Sequence, residues 1–444
     1  MNLSLLEIEK SVSGKLFNKN DEIITNITTD SRKIKENTLF IPLKGENFDG
    51  HDFISSTYKN GCLCVLSEKR LDINKPYILV KDCYKALLDL AQYYKSLFNI
   101  TAIGVTGSVG KTTTKEMIAS VLETKFNVLK NEANFNNHIG LPLTVFNLNK
   151  THQILINEMG MNHFNEINKL SKVVCPNIAV ITNIGTAHIK NLGSRKGILK
   201  AKMEILEHIK QEGILIVNSD DDLLCNVNYK NTLFYGINNK SCIRANNIVE
   251  NEDNISFDLS YDNKDINVVL NTSGIHMVKN ALCAALTGFS LGLSKEEIKL
   301  GLSNYKNAES RYEIIKLKDF TFIDDSYNAS YDSIVASITA FSKRKGTKLC
   351  ILGDVFEVGN QSKTIHENIG LFLNSVDIDK AIFIGKNSKF AYEKCNLNKE
   401  YFDILEQFLT IVDEKVKIFD NVLTKASNGM KFNQIKSHIL NTYK

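Results

Sequence analysis

Short apolar runs alternate with helical patterns along most of the chain. Within residues 1–98, runs rich in Ile, Leu, Val, Cys and Phe predict four strands, and an amphipathic pattern predicts a helix that follows them. The predicted strands are residues 22–25, 38–43, 62–66 and 77–80, and the predicted helix is 85–97. This combination indicates a small α/β domain at the N-terminus.

From residue 100 onward, β-branched runs alternate regularly with helices. The predicted strands are residues 101–105, 154–157, 178–182, 213–218 and 232–235. Such alternation is typical of a mostly parallel sheet, which binds its ligands at the carboxyl ends of the strands. Residues 242–270 instead alternate polar and apolar positions around 251–254, which predicts a solvent-facing hairpin, and a helix is predicted over 277–291.

A third alternating block begins past Asn307, with long amphipathic helices between its strands. Its predicted strands are residues 321–324, 348–352, 381–384 and 415–419. A length of 444 residues also favours about three domains. We therefore predict an α/β protein with a small N-terminal α/β domain (1–98), a central P-loop ATPase-like domain with a mostly parallel sheet (99–307) and a C-terminal Rossmann-like domain (308–444).

Composition narrows the class of protein. The 54 basic and 50 acidic residues give a net charge of only +4, and no basic block favours binding to nucleic acid. The nine cysteines are scattered without a CxxC pair, which indicates reduced thiols in the cytosol rather than disulfides or zinc. The first ten residues do not resemble a secretion signal, and no apolar run approaches the ~18 residues that span a bilayer. We expect a cytoplasmic monomer without membrane insertion.

The most informative segment is TGSVGKTTTKE, which directly follows the apolar run 101–105. A strand, a glycine-rich turn and a helix opened by Lys-Thr together form a phosphate cradle. Its nucleotide-binding candidates are Gly107, Ser108, Val109, Gly110, Lys111, Thr112 and Thr113. Lys111 supplies a positive charge for the outer phosphates, and a threonine hydroxyl can bind Mg²⁺. The alternative is a chance glycine turn before a helix.

Polar residues at the ends of the neighbouring strands add candidates for metal binding. Glu158 follows the second central strand, where its carboxylate would face the phosphate loop and hold Mg²⁺; alone, it would be read as a solvated charge. His188 follows the next strand and is either a second metal ligand or a satisfied polar residue. Lys196, Lys200 and Lys202 lie on the helix after it, where most lysines are solvated.

Five segments occur in the order found in the Mur ligase family, whose members build the peptide stem of bacterial cell-wall precursors. They read TGSVGKTTTKE, NEANFNNHIGLP, NEMGM, TNIGTAHIKNLGS and AKMEI. The resemblance implies ATP as cosubstrate, two Mg²⁺ ions and a lysine carbamylated by CO₂. The catalytic and metal-binding residues that it implies are Lys111, Thr112, Glu158, His188 and Lys202, with Lys202 as the carbamylated residue.

Further segments extend the resemblance over nearly the whole chain. Residues 30–53 match a nucleotide-sugar signature (DSR, LF-x-x-L-x-G, DGH-x-F), and GIH with NAL, DSYNASYDS and LGDVFEVG match later family motifs. These imply UDP-N-acetylmuramoyl-tripeptide and D-alanyl-D-alanine as substrates. The implied substrate-binding residues are Ser31, Arg32, Lys44, Asp49, His51, Asn134, Asn137, Tyr327 and Asn328, and the further ATP-binding residues are Asn280, Arg311 and Asp325.

The chain departs from the family pattern at two places. The usual Tyr-Asn-Ala-Asn-Pro ends here in Ser330 and Tyr331, so the loop lacks its fixing proline. The usual Lys-Gly-Ser reads Lys425-Ala426-Ser427, and Ala426 would be strained if the position requires a positive φ. Both departures concern the pocket for the incoming amine.

The implied reaction joins a carboxylate to an amine. The carboxylate attacks the γ-phosphate of ATP to give an acyl phosphate, which the amine then attacks, and closure of the three domains excludes water. A related amide ligase, such as a folylpolyglutamate synthase or the ligase of the preceding stem-peptide step, is one alternative. A regulatory ATP-binding module without ligase activity is another. The 30–53 segment argues against folate, and the preceding ligase's acceptor motif does not occur in the chain.

Overall fold

The computed structural model describes residues 1–132, 134–262 and 264–443. Ala133, in the NEANFNNHIGLP segment, and Asn263, in the predicted hairpin, lie outside the described residues. The chain divides into two compact units. The first contains residues 1–105, 126–179 and 203–213, and the second contains residues 106–125, 180–202 and 214–444. Among the described residues, every helix is too short or too polar to cross a membrane.

The N-terminal part of the first unit is the predicted small α/β domain. Its strands are β1 (Leu3–Ser4), β2 (Lys15–Phe17), β3 (Ile23–Ile24), β4 (Asn26–Thr28), β5 (Thr38–Phe40), β6 (Cys62–Ser67) and β7 (Tyr77–Leu79). Its helices are α1 (Leu5–Ser11), α2 (Ile54–Lys59) and α3 (Cys83–Ser96). Strands β4, β5, β6 and β7 pair in parallel, and β2 adds to β7 in antiparallel orientation. Phe40, Val65 and Tyr77 are buried in its core.

The first unit also contains three strands that lead to the predicted nucleotide site. These are β8 (Thr101–Thr106, of which Thr106 belongs to the second unit), β9 (Val128–Lys130) and β10 (Ile154–Glu158). They pair in parallel in the order β9–β10–β8, and the register sets Glu158 opposite Val105. Helices α4 (Lys111–Leu122), α5 (Gly140–Val145) and α6 (Glu166–Val174) follow β8, β9 and β10 in the chain. Both α5 and α6 pack on α3.

Strand β11 (Ile178–Ile181) is divided between the units, and the remaining central elements belong to the second, apart from the last residue of α8. The remaining strands are β12 (Ile214–Asn218), β13 (Thr232–Gly236), β14 (Ile243–Glu250), β15 (Ile255–Tyr261) and β16 (Lys264–Leu270); the helices are α7 (Ile189–Leu192), α8 (Arg195–Met203), α9 (Ile275–Ser290) and α10 (Lys295–Asn304). Strands β12, β13 and β14 pair in parallel, whereas β14, β15 and β16 are antiparallel. The hairpin predicted around 251–254 is confirmed.

The C-terminal block is a six-stranded sheet covered by helices. Its strands are β17 (Glu313–Lys316), β18 (Thr321–Asp324), β19 (Lys348–Gly353), β20 (Lys380–Ile384), β21 (Asn398–Phe402) and β22 (Asn421–Lys425). Its helices are α11 (Tyr331–Ser342), α12 (Ser362–Leu373), α13 (Ser388–Lys394), α14 (Leu405–Leu409), α15 (Val412–Val416) and α16 (Asn433–Tyr443). The order is β17–β18–β22–β19–β20–β21, with only the β17–β18 pair antiparallel.

The strand predicted at 415–419 is wrong. Val412 and Val416 are buried at helical spacing, so α15 runs to Val416, and the strand begins only at Asn421. Residues 415–419 (KVKIF) alternate polar and apolar positions as a strand does, but they cover the end of α15 and the turn after it. The other strands predicted in this block overlap observed strands.

The tip of the β14–β15 hairpin is bonded to the C-terminal block. Arg344, with a side chain only 3% exposed, donates from Nη1 to the carbonyl of Glu252 (2.7 Å), from Nη2 to Asp253 (3.0 Å) and from Nε to the side-chain carbonyl of Asn421 (2.7 Å). The exposed Lys316 also contacts Asp253, at 2.6 Å. A single buried guanidinium, two residues after the end of α11, therefore ties the hairpin to β22.

Candidate active site

The glycine-rich turn after β8 has the backbone that a phosphate cradle requires. Gly110 precedes α4 with a φ of 80°, a left-handed conformation that side chains disfavour. A Cβ on Gly107 would lie 1.8 Å from Oγ1 of Thr182, so no side chain fits there. Both glycines are thus required by the geometry of the turn, as a phosphate cradle would need, and the binding of phosphate at this turn stays a prediction.

Asn183 braces this loop, and sequence reasoning missed it. The backbone N–H of Ser108 donates to the Asn183 carbonyl (3.0 Å), and the N–H of Val109 donates to its side-chain oxygen (2.9 Å). The Asn183 amide donates in return to the Val109 carbonyl (2.9 Å). The only signal for this role was the position of Asn183 in the TNIGTAH segment.

The loop also holds an unpaired polar atom. Oγ of Ser108 is buried and, within the described part of the chain, has no hydrogen-bond partner. Buried hydroxyls without a partner are rare and point to a missing polar ligand. Lys111 lies over the same turn, where its Nζ donates to the carbonyls of Gly107 (2.9 Å) and Ser108 (3.3 Å). The Ser108 hydroxyl and the Lys111 ammonium are thus both groups that suit the binding of a phosphate.

Asn280 packs against the phosphate loop. Its side-chain oxygen accepts a hydrogen bond from Oγ1 of Thr114 (3.2 Å) and lies 3.3 Å from the point where Gly110 would carry a Cβ. A side chain at position 110 would therefore press on Asn280. Asn280 thus contacts the phosphate loop, and its predicted role in binding ATP stays a prediction.

Arg311 reaches the phosphate loop from the start of the C-terminal block. Its Nη2 donates to Oγ1 of Thr112 (2.8 Å), and its guanidinium carbon lies 4.0 Å from the centroid of the Tyr327 ring. The flanking Ser310 and Tyr312 both have left-handed backbones, with φ of 56° and 52°. The structure therefore brings together three predicted site residues, Thr112, Arg311 and Tyr327.

Asp325 is engaged within the C-terminal block. One oxygen accepts from the backbone N–H of Tyr312 (3.1 Å), and the other accepts from Oγ of Ser337 (2.6 Å) and from Nζ of the buried Lys425 (2.5 Å). Since Tyr312 adjoins Arg311, the Asp325 carboxylate fixes the chain beside the arginine. Its predicted contact with nucleotide stays a prediction.

Lys202 is the most unusual lysine on α8. It is 1% exposed, whereas Lys196 and Lys200 lie on the surface. Burial lowers the pKa of the Lys202 ammonium well below its ordinary value, and the positive charge of Lys111 lowers it further. The buried amine is therefore biased toward its neutral form, which is the nucleophilic one.

Glu158, in the first unit, is only 2% exposed, so the alternative that its carboxylate is a solvated surface charge is wrong. Its Oε1 accepts a hydrogen bond from the amide of Asn136 (2.8 Å), and its backbone N–H donates to Oδ1 of the buried Asn131 (2.8 Å). Sequence reasoning selected Asn134 and Asn137 from this segment instead. Asn134 is exposed, and Asn137 caps the start of α5 through Ile139 and Gly140.

His188 contacts an acidic residue of the C-terminal block. Its Nδ1 lies 3.0 Å from Oε2 of Glu357. Glu357 lies in the LGDVFEVG segment but was not selected as a site residue. Two residues earlier, the backbone N–H of Thr186 donates to Asp332 (3.3 Å). The loop that carries His188 thus meets the C-terminal block at two carboxylates.

The predicted nucleotide-sugar residues lie in the first unit. Arg32 forms a two-point ion pair with Asp30, at 2.9 Å for each contact, and this guanidinium lowers the pKa of Asp30 to about 2. His51 is held on both ring nitrogens, by Asp49 (2.6 Å) and by the backbone N–H of Glu68 (3.1 Å). The remaining two, Lys44 and Ser31, differ in setting: Lys44 is exposed and pairs with Glu68 at 2.5 Å, and Ser31 is half-buried.

Both departures from the family motifs are accommodated. Ser330 is the N-cap of α11, and its hydroxyl and that of Ser333 form a reciprocal capping box, so hydrogen bonds start the helix where a proline is absent. Ala426 is not among the described residues with positive φ, so the expected strain is wrong. Its Cβ would lie 2.6 Å from a Cβ on Gly353. The extra methyl group therefore occupies the space that Gly353 leaves.

The donor groups suit magnesium in part. Throughout residues 1–132, 134–262 and 264–443, no three His, Cys, Asp or Glu side chains are grouped to hold a metal ion. Mg²⁺ does not require such a group, because it commonly binds one or two protein oxygens together with substrate phosphates. The Thr112 hydroxyl beside the phosphate cradle and the buried carboxylate of Glu158 are oxygen donors of this kind.

The comparisons with known proteins agree with this geometry. Residues 105–288 match the Mur ligase middle domain, residues 310–428 match the Mur ligase glutamate ligase domain, and residues 23–95 match the Mur ligase family catalytic domain. The chain therefore belongs to the Mur ligase family.

The particular relatives are ligases of one kind. The UDP-N-acetylmuramoyl-tripeptide–D-alanyl-D-alanine ligase of Bacillus subtilis is 37% identical over 98% of this chain and 97% of its own. The structure of MurF from Acinetobacter baumannii superposes with a TM-score of 0.95 at 30% identity, covering 100% of this chain and 99% of that one. MurF from Thermotoga maritima in complex with ADP gives 0.86 at 29% identity, covering 94% and 97%.

The predicted family and the three-domain α/β fold are thereby confirmed. The domain boundaries 1–98, 99–307 and 308–444 stay a prediction, and so do the roles of the individual site residues.

Proposed function

We propose that this chain joins D-alanyl-D-alanine to UDP-N-acetylmuramoyl-tripeptide at the expense of ATP, in the cytoplasmic synthesis of peptidoglycan precursors. The observation that carries the proposal is its full-length similarity to a ligase of that name, in a chain whose phosphate loop is complete. The terminal carboxylate of the tripeptide attacks the γ-phosphate of ATP, ADP leaves, and the dipeptide amine displaces phosphate from the acyl phosphate.

The chain's own groups take defined parts in this reaction. Lys111 neutralises the outer phosphates, and Gly107, Val109, Gly110, Thr113 and Asn280 shape the cradle around them. Arg311, held by Tyr327 and positioned through Asp325, brings a second positive charge to the phosphates. Mg²⁺, when bound, offsets phosphate charge, and Thr112, Glu158 and His188 are the residues that would hold two such ions.

Lys202 is proposed to carry a carbamate. A neutral amine can attack CO₂ and, after losing a proton, becomes an anionic oxygen ligand for Mg²⁺. The lowered pKa of Lys202 supports this, because an ordinary surface lysine is protonated at neutral pH. Mass spectrometry and ¹³C NMR of the chain in ¹³C-bicarbonate should find one labelled carbamate, absent from Lys202→Ala. An unlabelled wild-type chain contradicts the proposal.

Substrate binding is assigned to two regions. Ser31, Arg32, Lys44, Asp49, His51, Asn134 and Asn137 are proposed to contact the UDP-sugar tripeptide. His51 is held on both ring nitrogens, so we assign it to shaping this pocket rather than to donating to the substrate. Tyr327 and Asn328 are proposed to contact the incoming dipeptide. The protein is proposed to act as a monomer.

Phosphate release provides the test. It should require ATP, a UDP-muramoyl-tripeptide and D-alanyl-D-alanine together, and L-alanyl-L-alanine should be a poor substitute. Tripeptides with meso-diaminopimelate and with L-lysine, assayed side by side, identify the third stem residue. Lys111→Ala should abolish phosphate release, because Lys111 is the only basic residue within the loop 106–113. Release of ADP without either substrate contradicts the ligase function, and equal use of both dipeptides contradicts the dipeptide assignment.

A further inference from the structure

The loop 185–190 meets the C-terminal block at three successive points. Thr186 donates to Asp332, and His188 lies against Glu357 at 3.0 Å. The third point is Gly359, where a Cβ would lie 2.8 Å from Cγ of Lys190. The central contact is the only one of the three that involves a predicted catalytic side chain.

Both partners of this central contact have an unfavourable backbone. His188 and Glu357 each have a φ of 62°, the left-handed region that residues other than glycine rarely adopt. Such conformations persist where the surroundings enforce them, and they cluster at functional sites. The Glu357 side chain is 61% exposed, and exposed ion pairs add little to stability. Stability therefore does not account for this pair.

The loop that presents Glu357 is fixed by buried side chains. The backbone N–H of Val355 donates to Nε2 of His366 (3.0 Å), and that of Phe356 donates to Oγ of Ser427 (2.9 Å). His366 and Ser427 are only 1% and 3% exposed. Buried side chains of the C-terminal block thus fix the backbone that leads into Glu357.

We propose, resting on the function proposed above, that Glu357 is a positioning residue that fixes the ring tautomer of His188. Its carboxylate accepts a hydrogen bond from the Nδ1–H group, which leaves Nε2 as the acceptor nitrogen of the ring. A functional histidine is commonly oriented by a carboxylate that accepts a hydrogen bond from one ring nitrogen, which leaves the other ring nitrogen to bind or react. Because Glu357 belongs to the C-terminal block, the ring is oriented only while this block contacts the loop.

The tautomer can be measured directly on the ligand-free full-length chain. In ¹⁵N-histidine NMR, with the signal assigned by its loss in His188→Gln, the wild-type ring should be protonated on Nδ1. Glu357→Ala should shift it toward the Nε2-protonated form, whereas Glu357→Gln, which keeps an acceptor oxygen, should not. Glu406→Ala, an exposed residue on α14 of the same block, is the matched control and should match the wild type.

Kinetics supply the second readout. Glu357→Ala should lower kcat by about 10- to 100-fold, the usual cost of removing such a partner, with KM for the UDP-tripeptide changed less than about twofold. Glu357→Gln should recover most of the loss. A wild-type tautomer together with wild-type kcat in Glu357→Ala overturns the inference. If the wild-type chain shows no ligase activity, the proposed function fails, but the NMR result still decides the role of Glu357.

Discussion

The contact of Arg311 with Thr112 and Tyr327 gives the sharpest prediction about catalysis. Arg311→Ala removes the charged group that is proposed to reach the phosphates; a hydrogen bond from a charged group contributes about 1.5–3 kcal/mol, and each 1.36 kcal/mol changes a rate tenfold. The expected loss in kcat is therefore about 10- to 150-fold. Tyr327→Ala removes only the ring beneath the guanidinium, worth about 0.5–2 kcal/mol, and should cost about 2- to 30-fold.

Two further variants make this prediction specific. Tyr327→Phe keeps the aromatic face and should stay within about twofold of the wild type. The backbone bonds of Tyr327, to Ser310 and Asn428, survive every side-chain change, so the loop itself should persist. Arg311→Lys keeps the charge but loses the flat stacking face, so it should resemble Tyr327→Ala.

The assay is phosphate release at saturating UDP-tripeptide and D-alanyl-D-alanine, with ATP varied. If Tyr327 acts only by holding the arginine, the double variant Arg311→Ala/Tyr327→Ala should be no slower than Arg311→Ala, within about a factor of two. If the losses in kcat of the two single variants multiply in the double variant, the tyrosine ring acts independently of the arginine. An Arg311→Ala enzyme with wild-type kcat would refute the role of the arginine itself.

Two other predictions concern stability. In bicarbonate-free buffer, where the Lys202 amine is not carbamylated, Lys202→Met should raise the free energy of unfolding at neutral pH, because it removes a buried amine whose pKa is lowered. Added bicarbonate should not restore the activity of this variant. Between the lowered pKa of folded Lys202 and pH 10.5, the unfolded chain binds a proton that the folded chain does not, so the stability of the wild type rises with pH. Urea unfolding should therefore show the stability advantage of Lys202→Met shrinking as pH rises. A difference that stays constant with pH contradicts this prediction. Arg344→Met should cost about 1–3 kcal/mol in urea unfolding, because it leaves the buried side-chain oxygen of Asn421 without its donor, while the partly exposed Asp253 keeps its ion pair with Lys316. The exposed Lys316→Ala should cost below about 1 kcal/mol. Equal losses would show that the buried position of Arg344 is unimportant.

The parts of the site that depend on local backbone chemistry were predictable from the sequence. Gly107 and Gly110 are needed for a turn of this shape, and Lys111 and Thr112 follow directly in the chain, so the segment alone identified the cradle. The alternating strands and helices likewise predicted the sheets, because parallel strands need long connections.

The parts that depend on distant partners were not predictable. Asn183 braces the loop through contacts set by strand pairing, and Glu357 matters only because His188 lies beside it. The burial of Lys202, compared with Lys196 and Lys200 on the same helix, also required the tertiary packing. The failed strand at 415–419 has the same origin, since only the buried Val412 and Val416 reveal the helix.

The contact between Ala426 and Gly353 limits how this sequence can change. A methyl group at 353 would lie 2.6 Å from the one at 426 and 2.8 Å from the ring of Phe432, so only one of the two neighbouring positions can carry a side chain. A substitution at 353 is therefore expected to be accommodated only when position 426 returns to glycine and the Phe432 ring moves, so the two positions have to change together.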